Sequence, residues 1–140
     1  MTPEQVFSIA SNIALPSWLY LLAAARWTPK TFAVVKLLIP ATLSLIYLLS
    51  VITAYPLQGG FSSLSDVANL FSDDWALLAG WVHYLAFDFF VGCWILEQAK
   101  KRAIPHWLLV PILIFTFLLG PIGYLLFQAL TAVSKKPITA

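Results

Sequence analysis

Four long apolar runs alternate with three shorter, more polar connections along this chain. They cover about residues 6–25, 32–55, 75–96 and 106–132. Each approaches or exceeds the roughly 20 residues that a membrane-crossing helix needs. The pattern predicts an all-α fold: one integral membrane domain over residues 1–140, a bundle of four transmembrane helices. A short interfacial helix is expected between the second and third spans.

Polar positions inside and between the runs refine this picture. In the first run Asn12 and Pro16 lie four apart and share a face, and proline cannot bond the carbonyl four residues back, which belongs to Asn12. Such kinks are tolerated in membrane helices when neighbours re-satisfy the freed group. The same carbonyl also makes Asn12 a candidate polar contact for a ligand. Arg26 and Trp27 mark an interface, and Lys36 sits close enough to the start of the second run to snorkel out. The connection at 56–74 is the longest; Gly59 and Gly60 break helix, and Ser65 is placed to cap a short helix at 66–71. Val67, Leu70 and Phe71 would form its apolar face. In the fourth run Gly120 and Gly123 read as small residues at a helix contact. The tail at 134–140 is polar and expected to fray.

Composition agrees with the pattern. The chain is 61% hydrophobic and 10% charged, against about 25% charged in soluble domains, and its mean hydropathy is +0.87. A net charge of +2 with no basic face excludes nucleic-acid binding. Cys93 is the single cysteine, which excludes an internal disulfide and a cysteine-cluster metal site; no metal and no cofactor is expected. The start of the chain has neither a basic n-region nor a transit-peptide composition. The first run is therefore expected to stay as a span, and the chain to be bacterial, in the inner membrane. Six Lys and Arg flank the first and third connections, and Lys135 and Lys136 follow the fourth run. The positive-inside rule then predicts both termini on the non-cytoplasmic side.

The third run carries the functional signal. It holds Asp88 in its interior, where a carboxylate costs a few kcal/mol or more. Such a group must be sheltered by protein or water, or stay protonated. On a helical wheel Trp81, Tyr84, Asp88, Gly92 and Ile95 form one stripe; His83, Phe87, Phe90 and Trp94 form another, roughly 140–160° away. His83 and Asp88 therefore do not point at one spot, and the helix belongs inside the bundle. Tyr84 can bond Asp88 directly. Gly92 leaves room beside Asp88 for a ligand or another helix. Glu97 is expected to be a solvated ion-pair partner near the basic cluster, and Cys93 has no cation that would activate its thiol. The sequence contains no HExxH, no phosphate-binding glycine loop and no legible Ser–His–Asp set, and its two histidines fall near opposite membrane faces. What remains is an acid or base among aromatic walls, suited to a lipid-soluble substrate.

The block from Trp81 through His83, Phe87 and Asp88, with Pro111, Gly120, Pro121 and Gly123, and Asn12 with Pro16, resembles the abscisic-acid-deficient-four-like (neoxanthin synthase-like) family of small integral membrane proteins. Plant members are implicated in converting violaxanthin to neoxanthin. The resemblance implies xanthophyll metabolism and an isomerase that opens an epoxide of a carotenoid. Carried over residue by residue, it implies Asp88 and His83 as catalytic acid and base. Asn12, Trp81, Tyr84, Phe87, Gly92 and Trp94 would contact substrate. The family pattern has a basic residue where this chain has Cys93, a departure at the site itself.

Three function classes follow. The first is the intramembrane isomerase. The second is a non-catalytic pigment- or lipid-binding assembly subunit. A small ion-coupled carrier is the weakest, since one buried acid lines no pathway. The expected partners are a carotenoid or other isoprenoid lipid, membrane lipids, and a second copy or a larger membrane complex.

Overall fold

A computed structural model describes residues 1–133; the tail with Lys135 and Lys136 lies outside the described residues. The described residues form six helices and no strand. Helix α1, Pro3–Ala23, starts at a capping box in which Thr2 and Gln5 satisfy each other's backbone N–H groups. Helix α2 covers Pro29–Ala54 and opens on a proline, whose missing N–H costs nothing at that position. Helix α4, Asp74–Lys101, starts where Asp73 accepts from the N–H groups of Trp75 and Ala76 at 2.9 and 3.0 Å. It ends with Lys100 and Lys101 in its last turn, where cations complement the helix dipole. These three helices are long and apolar enough to cross a bilayer, which marks an integral membrane protein.

The expected interfacial helix is present as α3, Leu64–Leu70. Its cap is Ser63, whose hydroxyl accepts from Asp66 N–H, not Ser65. Phe61 and Leu64 are among the most exposed apolar residues, as in a segment lying at a membrane surface.

The expected continuous fourth span is instead two short helices, α5 at His106–Leu119 and α6 at Pro121–Val133, parted at Gly120. Helix α5 rises roughly 21 Å at 1.5 Å per residue. That is less than the roughly 30 Å hydrocarbon core. It starts beside the end of α1, where His106 Nε2 bonds the Leu22 carbonyl at 2.7 Å and the His106 ring meets Trp27. It reaches Tyr84 at Phe117 and Asp88 at Gly120. Helix α6 then returns. Tyr124 and Phe127 both pack on Trp94, with ring centroids 5.7 Å apart in each case, further toward the basic end of α4. A Cβ on Gly123 would collide with the backbone of Thr116, seven residues earlier, so the two helices cross at a glycine. In a straight helix those residues would be about 10 Å apart. The fourth apolar run is therefore a hairpin whose tip stops beside the middle of α4. Three helices are long and apolar enough to cross, and among the described residues the fourth apolar run forms no fourth helix of that length.

Helix α4 is the central element. It packs on α1, α2, α5 and α6, and its Val82, Phe89, Cys93 and Ile95 are buried. The main core gathers Trp18 and Leu21 of α1, Phe89 and Leu96 of α4, Leu109 and Leu113 of α5, and Phe127 of α6.

Candidate functional site

The two stripes of the third run become two separate surroundings. Tyr84, Asp88 and Gly92 face α1 and the hairpin, whereas His83 and Phe87 face α2 and the membrane. The helical period dictates this split, because His83 and Asp88, five apart, lie about 140° from each other around the helix.

Asp88 is the fifteenth of the 28 residues of α4, and so lies near mid-membrane. Its side chain is 9% exposed, and Oδ2 has no hydrogen-bond partner among the described residues. It points at the hairpin tip: a Cβ on Gly120 would sit 2.8 Å from the Asp88 Cγ and closer still to Oδ1. Glycine is thus needed at 120 for close approach to a carboxyl. Directly above, the Tyr84 hydroxyl donates to the Phe117 carbonyl at 2.5 Å. Pro121 supplies no N–H for that carbonyl, so Tyr84 satisfies a group the helix break leaves free. Tyr84 and Asp88 lie one helical turn apart on the same face of α4.

Above this pair a groove of about 490 Å³ opens between α1, α4 and the tip of α5. Asn12, Trp81, Tyr84 and Phe117 line it, with Ser11 at its wall and Leu15 and Leu118 exposed at its rim. The Ser11 hydroxyl is buried without a partner. Trp81 also borders a second space of about 320 Å³ with Phe7, Leu77 and Asp74, further along α4. Ring contacts from Trp81 to Phe7 and Tyr84, at 5.7 and 5.4 Å, make one aromatic wall. From Asp74 to Tyr84 the residues bordering the two spaces cover roughly 15 Å of the helix.

Of the residues singled out in the sequence, Asn12, Trp81 and Tyr84 meet in this groove, with Asp88 beneath. Gly92 is filled by α1: a Cβ there would meet the Trp18 ring at 2.8 Å, so its space takes a helix rather than a ligand. Trp94 packs on α6. His83 is exposed on the opposite face, stacked on Phe87 at 4.6 Å and 18° and 5.6 Å from Tyr47. It lines a separate space of about 520 Å³ under α3 with Phe61, Phe71 and Gly80. Ser11, Phe117 and Gly120 were not singled out as site residues. The signal for the last two was the Gly–Pro–x–Gly run at 120–123, which breaks a helix as readily as it packs one. Among the described residues no cluster of His, Cys, Asp and Glu could hold a metal ion.

Residues 5–127 match the protein family described as ABA DEFICIENT 4-like. Among curated proteins and solved structures, none matches the chain.

Proposed function

The chain belongs to the ABA DEFICIENT 4-like family, and from that premise we propose that it isomerises an epoxide-bearing xanthophyll in the groove above Asp88. The observation that carries this reading is the buried carboxyl with an unpartnered Oδ2, placed one helical turn below a phenol that lines an apolar groove. The aromatic wall suits a flat polyene or its end ring. Asn12 and Ser11 offer polar contacts to ring oxygens.

In this reading the Tyr84 hydroxyl leaves the Phe117 carbonyl and gives its proton to the epoxide oxygen as the C–O bond breaks, and Asp88 replaces that proton. The C–H proton lost in forming the new double bond returns to the Tyr84–Asp88 pair, so the protein ends as it began and the substrate is only rearranged. His83 takes no part, since it opens onto the other face. By the positive-inside rule the end bearing Arg26 and Lys100 faces the cytoplasm.

The test is Asp88→Asn in a host supplied with epoxy-xanthophyll. A general acid contributes roughly 100-fold or more, so product in pigment extracts should fall at least that far while the protein still inserts and retains pigment. Unchanged conversion would sink the mechanism. A wild-type protein that co-purifies with a pigment it never converts would instead be a binding subunit.

A further inference from the structure

We propose that the basic end of the bundle holds a second binding pocket, separate from the groove, for a phosphate-bearing anion, either an anionic lipid headgroup or free phosphate. A cavity of about 220 Å³ lies where α1 ends, α2 begins and α4 ends. Three cations line it: Arg26 from the α1–α2 turn, Lys36 from the second turn of α2, and Lys100 from the last turn of α4. Glu97 is the single acid in the lining, and its carboxylate is already committed to the Lys36 ammonium. Arg26 and Lys100 have no carboxylate in ion-pair range among the described residues.

With Lys36 balanced by Glu97, the charges of Arg26 and Lys100 at this small space repel one another unless a further anion sits between them. Helix α2 adds to the field. Its N-cap, Thr28, makes no capping bond, because its hydroxyl donates to the Ala24 carbonyl, and the first turn of α2 carries no acid. The positive end of α2 therefore reaches the pocket through Pro29 without a balancing charge. Arginine offers the planar fork that binds two phosphate oxygens at once. Phe32 and Leu96 line the same cavity and give an apolar wall, as a headgroup with its acyl chains alongside requires. Basic pockets between membrane helices near a surface bind lipid headgroups by this chemistry.

The experiment uses the full chain in neutral detergent. Native mass spectrometry scores retained phosphatidylglycerol against phosphatidylcholine, and thermal unfolding is followed with inorganic phosphate against chloride at matched ionic strength. The wild type should retain phosphatidylglycerol selectively. Arg26→Gln and Lys100→Gln should each weaken that retention about fivefold. Arg26→Lys should keep most of it, and Glu97→Gln should not lower it. Stabilisation by phosphate without lipid selectivity would assign the site to the free anion. If the wild type and both Gln variants behave alike toward lipid and phosphate, the pocket binds no such anion and the proposal is overturned.

Discussion

Replacing Gly120 with alanine should damage the hairpin through one identifiable collision. The new methyl would lie 2.8 Å from the Asp88 carboxyl carbon and nearer to Oδ1. Ordinary carbon contacts are about 3.5–4.0 Å, so something must move by about 1 Å. Asp88 has little freedom, being buried in the middle of α4. The hairpin tip therefore has to lift, which also stretches the bond from Tyr84 to the Phe117 carbonyl. Overpacking costs about 1–3 kcal/mol and loss of a hydrogen bond about 1 kcal/mol, so the variant should lose roughly 2–4 kcal/mol. The assay is reversible unfolding in mixed micelles by titration with a denaturing detergent, run on Gly120→Ala, Asp88→Ala and the double variant. Asp88→Ala removes the atoms that the methyl strikes. The double variant should accordingly be at least about 1 kcal/mol more stable than the two single losses predict, within the range found for residues in contact. If the losses add to within about 0.5 kcal/mol, or if Gly120→Ala unfolds like wild type, Asp88 does not sit against the hairpin tip.

Tyr84→Phe should lower stability by about 0.6–2 kcal/mol in the same titration, because the Phe117 carbonyl at the break then has no donor. An unchanged midpoint would mean that the carbonyl finds another partner. Sidedness can be read with thiol reagents, since Cys93 is buried and should give little background. Val133→Cys should react from the same side as Lys100→Cys and from the side opposite Glu4→Cys. Reaction from the Glu4 side would mean that the fourth run crosses after all.

Much of the fold was legible because hydropathy reports burial in oil directly. The first three long helices, the short α3, and the placing of His83 and Asp88 on different faces all follow from composition and helical period. The hairpin was not legible, because hydropathy has no direction. The run from His106 to Val133 is apolar whether it continues past Gly120 or turns back there. Gly120 and Pro121 were visible as helix breakers, but only Asp88 and Trp94, on another helix, decide which way α6 goes. The groove was half legible for the same reason. Asn12, Trp81 and Tyr84 could be named from their own helices. Ser11 carried no signal in a mostly apolar run, and Phe117 joins the site only because its carbonyl is freed by a break three residues later. Gly92 was legible as room for a ligand or another helix, but only the fold shows that Trp18 of α1 takes it.

A hairpin that turns back halfway makes the molecule taper. Five helical segments fill its cross-section near Lys100, but above Tyr84 only α1, α2 and α4 continue, apart from the short cap of α3. The trough along Trp81 is the room left by that taper, so one of its walls has to be the surrounding leaflet. A lipid-soluble guest of the kind proposed would then need no gate: it would slide in sideways from the bilayer, and the acyl chains it displaced would close in behind it.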